Sequence, residues 1–340
     1  MEITKLSQSP GVLTHPYPFD PTYGLDLEGL LRVPGPDNAP ADFSEFWQRK
    51  HRRAMDTAVE ARLGAKVGGS VDGTGGGFDV FEVSYTSVGG VRIGGWLVVP
   101  TDGVVDRGFV IGHGYGGREA PDAELPAPRA AAIFPVLRGL PTKSLLSGVP
   151  SESLAHVLQG IESHDDYIIG GCVADLWCAA TALTELVPAA ARRLDYLGES
   201  FGGGTGMLAL AWDERFTAAQ VTVPTFGNHP LRVTLDCVGS GEAVRARYES
   251  DPRVLDVLAY FDAATAARYV NVPVQAAVAL LDPSVPPPGQ FAIVNALGGE
   301  GAGVDLVDMQ VLTAGHYTEY AEFGEEEAEL WKATQRFFGE

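Results

Sequence analysis

The chain has 340 residues, of which 45% are apolar and 20% charged, and its 24 basic against 44 acidic side chains give a formal net charge of −20. That balance describes a globular protein with material for one large α/β domain or two small ones, and it excludes charge-driven affinity for nucleic acid or anionic membranes. Cys172, Cys178 and Cys237 show no CxxC spacing, which points away from a disulfide framework or a zinc site. The first twenty residues have no basic start followed by an apolar core, and no run approaches the roughly 20 apolar residues of a membrane span, so the expectation is a cytoplasmic protein that does not touch membrane.

Residues 1–40 are Pro-rich and aperiodic, as expected of an extended arm on the surface. Asp42 and Glu45 then form a capping-box-like start, and Phe43, Phe46, Trp47, Ala54 and Met55 recur at helical spacing, which predicts an amphipathic helix to about Arg62 with a core-facing aromatic stripe. A Gly-rich link, 68–77, follows. Phe81, Val83 and Tyr85 alternate with polar residues, and Gly89-Gly90 separates them from Val91, Ile93 and the run 96–99, which predicts a hairpin. The unalternating runs 108–111 and 131–136 predict strands buried on both faces. Between 138 and 166 the only regular signal is a short helical piece near 154–158, and a segment of that length reads as a functional loop. Val173, Leu176, Trp177, Ala180, Leu183 and Val187 predict a helix stopped by Pro188. Further strands are predicted at 194–197, 218–223, 274–281 and 306–312, with helices between and after them. The expected fold is α/β: a mostly parallel sheet covered on both faces by helices and opened by an antiparallel hairpin. The division expected is an N-terminal arm and helix, 1–75, packed on a catalytic domain, 76–340, with an insertion at about 227–268.

The chain is organised around Gly198-Glu199-Ser200-Phe201-Gly202, a GxSxG pentad between a short apolar run and an Ala/Leu-rich helical stretch. Glycines flanking the serine remove Cβ atoms that would collide in a sharp strand-to-helix turn, so Ser200 is the candidate nucleophile. A serine hydroxyl needs a base, and the base needs a carboxylate to hold its tautomer. Such groups gather at the carboxyl ends of parallel strands. Asp282 follows the predicted strand 274–281, and His316 follows 306–312, so these are the candidate acid and base in the order Ser, Asp, His. Among the other histidines, His15, His51 and His164 read as solvated, while His156 and His229 read as pocket walls. The oxyanion hole is expected from the amide of Phe201 and from that of Tyr115, in the Gly-rich loop Gly112-His113-Gly114-Tyr115-Gly116-Gly117 after the predicted strand 108–111. That loop lacks the Lys and Ser/Thr of a phosphate loop, and no metal or organic cofactor is expected.

Taken together, His113-Gly114-Tyr115, the GxSxG pentad, Tyr260-Phe261-Asp262, Asp282 with Pro286-Pro287, and Gly315-His316 resemble the acetyl xylan esterase and cephalosporin C deacetylase family. Phe43-Ser44-Glu45-Phe46-Trp47 and 90–96 extend the resemblance over about 40–320. It implies an α/β-hydrolase that deacetylates sugars or related alcohols through an acyl-enzyme. Ser200 is then the nucleophile, Asp282 the acid, His316 the base and Tyr115 an oxyanion donor. It further implies a small acetylated substrate and a homo-oligomer, with a hexameric ring as the family precedent. The chain departs from the family pattern at Phe201, where Gln is usual, and at Arg138-Gly139-Leu140-Pro141, where Arg-Gly-Gln-Gly is usual. Phe201, Tyr115 and Phe226 are expected to crowd the acyl side and favour short acyl groups. The alternatives on the same fold are a broader carboxylesterase or a serine peptidase; a non-catalytic binding protein is a third reading.

Overall fold

The computed structural model describes residues 2–6, 13–70, 77–122, 124–297 and 307–339. In chain order the elements are β1 (Glu2–Lys5), α1 (Leu27–Leu30), α2 (Phe43–Met55), β2 (Arg62–Ser70), β3 (Phe78–Ser87), β4 (Val91–Pro100), β5 (Arg107–Ile111), β6 (Ala130–Pro135), α3 (Ser153–His156) and α4 (Ile168–Leu186). The second half continues with β7 (Leu194–Glu199), α5 (Phe201–Leu210), β8 (Phe216–Thr222), α6 (His229–Arg232), α7 (Ser240–Ser250), α8 (Val254–Leu258), α9 (Ala263–Ala267), β9 (Val274–Leu281), α10 (Pro287–Ala296), β10 (Val307–Ala314) and α11 (Phe323–Gly339).

All ten strands join one sheet in the order β1-β10-β9-β8-β7-β5-β6-β4-β3-β2. From β1 to β6 every neighbouring pair is parallel, whereas β4, β3 and β2 are added antiparallel. The predicted hairpin is β3 and β4, and the two runs without alternation, β5 and β6, are buried at every position, as strands covered on both faces must be. The chain runs from β5 to β6 on one side and then returns to β7 on the other, so a crevice opens where β5 and β7 diverge at their carboxyl ends.

Helix α4 covers one face. It is long and apolar enough to cross a membrane, but 78% of its apolar window is buried, so its composition is that of a core helix packed all round. Against it lies α2, whose Trp47 ring meets Trp177 and Phe261 edge-on at 6.1 and 5.5 Å. The motif Tyr260-Phe261-Asp262 ties these parts together: Trp47 Nε1 donates to the Tyr260 carbonyl at 2.7 Å, Tyr260 Oη donates to Asp42 at 2.7 Å, and Asp262 accepts from the Thr265 amide at the start of α9.

The N-terminal region differs from the expectation in two respects. Helix α2 stops at Met55, and residues 62–70 then form β2, an edge strand whose register against β3 shifts twice. At the opposite edge β1 pairs in parallel with β10. The following arm braces the carboxyl rim of the sheet: the Pro21 carbonyl accepts from the Asp282 amide at 3.1 Å, and Tyr317 Oη donates to the Thr14 carbonyl at 2.7 Å. The predicted link 68–77 lies largely outside the described residues.

Candidate active site

Four strand ends meet at one rim. The Gly112 amide donates to the Leu197 carbonyl, that of Ser200 to Thr222, that of Val223 to Ala277 and that of Gly315 to Leu281, all at 2.8 Å, so the ladder continues past the strands and sets the four following loops side by side. Ser200 stands between β7 and α5 with φ 53° and ψ −108°, a left-handed conformation that L-residues adopt only when their surroundings enforce it. The enforcement is close packing. A Cβ at Gly198 would lie 2.6 Å from the Gly202 carbonyl carbon, and one at Gly202 would lie 2.9 Å from the His113 nitrogen. Tyr196 Oη supports the turn from below by donating to the Gly202 carbonyl at 2.6 Å.

The structure brings Ser200, His316 and Asp282 together. His316 Nε2 is 2.9 Å from Ser200 Oγ, and His316 Nδ1 is 2.8 Å from Asp282 Oδ2. A carboxylate can only accept here, so Nδ1 carries the proton and the bare Nε2 accepts from the serine hydroxyl. His316 also has a positive φ, 48°, and the preceding Gly315 leaves no room for a side chain, because a Cβ there would sit 2.5 Å from Asp282 Oδ2. Burial acts most strongly on His316 and opposes its protonation, but the charge and hydrogen bond of Asp282, with the charge of Glu199, outweigh it and raise the pKa above the ordinary imidazole value. Asp282 is fully buried and saturated: Oδ1 accepts from the Ser284 and Val285 amides at 2.8 and 2.9 Å, and Oδ2 accepts from Gln290 Nε2 at 2.9 Å as well as from His316.

Gln290 escaped the sequence reading. It also donates to the Val285 carbonyl at 2.7 Å and accepts from the Ala279 amide at 2.9 Å, so one side chain clamps the end of β9, the acid loop and the carboxylate. Its signal was present as one of two amide-bearing residues, the other Asn295, in the mostly apolar helix α10.

The other side of Ser200 is main chain. The Phe201 amide opens α5, and the first amides of a helix have no intrahelical acceptor; among the described residues none meets the Tyr115 amide either. The loop carrying Tyr115 is held by two neutral histidines. His113 Nδ1 donates to the Gly114 carbonyl at 2.7 Å and its Nε2 accepts from the Leu137 amide at 3.0 Å; burial pushes its pKa down to about 4. His156 Nε2 donates to the Arg138 carbonyl at 2.9 Å, which leaves Nδ1 to accept from Tyr115 Oη at 2.9 Å, and burial lowers its pKa too. Arg138 is fixed in turn by Asp175 of α4, through contacts of 2.6 to 3.1 Å. The rings of Tyr115 and Phe201 stack at 4.2 Å, and Phe226 meets Phe201 edge-on at 6.1 Å, so the three aromatics assigned to the acyl side form one group.

The other histidines lie elsewhere. His51, expected in solvent, is packed edge-on against Trp177 at 5.0 Å because α2 presents that face to α4. His164 sits beside Tyr260, and His229 is buried against the Phe261 carbonyl. A cavity of about 400 Å³ between the sheet and α11 borders His316, with Glu199, Thr222 and Trp331 among its walls. No cluster of three or more potential metal ligands occurs among the described residues.

The sequence model of the acetyl xylan esterase (AXE1) family matches residues 21–311. Solved structures similar to this one include the acetyl xylan esterase from Paenibacillus sp. R4, at 21% identity and TM-score 0.73, covering 91% of this chain and 99% of that one. Acetyl xylan esterase 1 from Thermoanaerobacterium sp. JW/SL YS485 is 19% identical at TM-score 0.74, covering 93% and 99%. The acylaminoacyl peptidase of Pyrococcus horikoshii aligns at TM-score 0.57 and 14% identity, over 81% of this chain but only 49% of that one. At these identities the structural matches establish the α/β-hydrolase architecture.

Proposed function

Because this chain belongs to the acetyl xylan esterase family, a family of carboxylic ester hydrolases, we propose that it cleaves short-chain esters, acetyl above all, of sugars or related alcohols through an acyl-enzyme on Ser200. The observation that carries this reading is the unbroken contact series from Ser200 Oγ through His316 to Asp282. His316 Nε2 takes the hydroxyl proton as Oγ attacks the ester carbonyl, and Asp282 stabilises the imidazolium so formed. The developing oxyanion faces the Phe201 and Tyr115 amides. His316 returns the proton to the leaving alcohol, water then attacks the acyl-enzyme with His316 as base, and Ser200 is released.

The packed rings of Tyr115, Phe201 and Phe226 support a short acyl group. The test is kcat/KM for 4-nitrophenyl acetate, butyrate and octanoate, with acetylated xylo-oligosaccharides alongside. A steep fall with chain length is expected; equal rates on acetate and octanoate would remove the short-acyl reading. A peptidase reading has less support, since the matched peptidase is about twice as long as the region it shares with this chain. Comparing an aryl acetate with an amino-acyl anilide separates the two.

A further inference from the structure

Arg232, the last residue of α6, is 3% exposed, yet Nε and both terminal nitrogens of its guanidinium lack a hydrogen-bond partner among the described residues. No Asp or Glu of the described residues hydrogen-bonds to it. Burying an unpaired charge is among the costliest arrangements a fold can hold, and even the part-buried Arg138 is matched by Asp175. The position of Arg232 is defined by its neighbours. Its guanidinium carbon lies 5.8 Å from the centre of the Phe226 ring, which itself touches Phe201 beside the nucleophile. On another side Gly241 has no side chain, and a Cβ there would come within 3.0 Å of a terminal nitrogen. Two further groups are buried with a polar atom unpaired: His229 Nδ1, one helical turn before Arg232 on α6 with its ring 6.1 Å from that of Phe226, and Tyr167 Oη, whose ring packs edge-on against Phe261 at 4.9 Å. His229 Nε2 donates to the Phe261 carbonyl, so Nδ1 is an acceptor.

A fork of cationic donors and an imidazole acceptor beside Phe226 of the aromatic wall, with a phenolic donor on Phe261, all unmatched, complement a carboxylate with a neighbouring hydroxyl. We propose that Arg232 binds a carboxylate of the substrate, so that the preferred ester is an anionic one. This rests on the esterase reading and narrows its substrate class. The carboxylate belongs either to the alcohol, as in an acetylated sugar acid, or to the acyl group, as in a half-ester of a short dicarboxylic acid.

Two matched pairs distinguish the sources: 4-acetoxybenzoate against phenyl acetate, and mono-4-nitrophenyl succinate against 4-nitrophenyl pentanoate. The readout is the ratio of kcat/KM within each pair, for the wild type, Arg232→Met and Arg232→Lys. In one pair the wild type favours the anion by roughly tenfold or more, the yield of one charge-assisted contact. Arg232→Met abolishes that ratio and Arg232→Lys keeps part of it. A readout independent of folding of the variants is inhibition of the wild type on phenyl acetate: D-glucuronate or succinate should compete, whereas D-glucose and 1,4-butanediol should not. Hydrolysis of the neutral esters with ratios near one and no selective inhibition would overturn the assignment of Arg232 while leaving the esterase reading intact. Failure to hydrolyse any of the esters would overturn both.

Discussion

The two sides of Ser200 are made of different material. On one side three side chains from separate strands touch in series, and in the proposed mechanism the histidine among them gains and loses a proton. On the other side the proposed chemistry rests on main-chain amides, and the histidines that hold the loop are neutral. The same imidazole is tuned in opposite directions: His316 is raised because a buried carboxylate outweighs its desolvation, whereas His113 and His156, whose hydrogen-bond partners are neutral, are lowered by burial. Burial is the largest influence on all three, so the partner decides the outcome.

Breaking the side-chain half is expected to cost most. Ser200→Ala should lower kcat on 4-nitrophenyl acetate by about 10⁵-fold with the fold intact by circular dichroism, since the proposed nucleophile is removed and nothing else changes. Asp282→Asn should lower it by about 10³ to 10⁴-fold, because the amide no longer enforces the Nδ1–H tautomer of His316.

Breaking the main-chain half should cost less, because its donors stay in place and only their positioning loosens. His156→Phe removes the acceptor of Tyr115 Oη and the donor to the Arg138 carbonyl; a fall in kcat of about ten- to a hundredfold with little change in KM is expected. Gln290→Leu, on the side-chain half, tests support in place of chemistry. It leaves the Ala279 amide and the Val285 carbonyl without partners, and urea unfolding should show a loss of about 2 to 4 kcal/mol. A loss no larger than that of an exposed substitution would refute its clamping role.

The smallest effect sharpens the contrast in tuning. In the proposed mechanism only neutral His316 accepts the serine proton, so kcat/KM should fall as pH drops through its free-enzyme pKa, and the raised value places that limb above the usual imidazole midpoint. His113 and His156 are already neutral there, so His156→Phe should lower the plateau without moving the limb. A limb that moves with His156 would mean that the two halves are not separate.

What was legible in the chain follows from how local each signal is. The elbow is a contiguous pentad whose glycines have a single steric reason, and Asp282 and His316 each announce themselves by following a buried apolar strand directly. The antiparallel hairpin was equally plain, since Phe81, Val83 and Tyr85 alternate and a glycine pair follows. Strands β1 and β2 were not legible. The described residues of both are exposed, at sheet edges, so no apolar period marks them and only the partner strand defines them. Contacts between distant segments escaped for a similar reason: nothing near His156 says that Tyr115 is its partner, and the part-buried Arg138 with the fully buried Asp175 reads in the sequence as two ordinary charges. Gln290 and Arg232 stood out only as polar residues in buried surroundings, which the sequence cannot rank without knowing what faces them.

The measurement that tests the central claim most directly is labelling by a fluorophosphonate, followed by peptide mapping, across pH and in His316→Ala. Stoichiometric modification of Ser200, slowing along the same acid limb as hydrolysis and nearly lost in His316→Ala, is the expected result. Modification of Ser200 at a rate indifferent to pH and to His316, or full hydrolytic activity once Ser200 is blocked, would contradict the assignment.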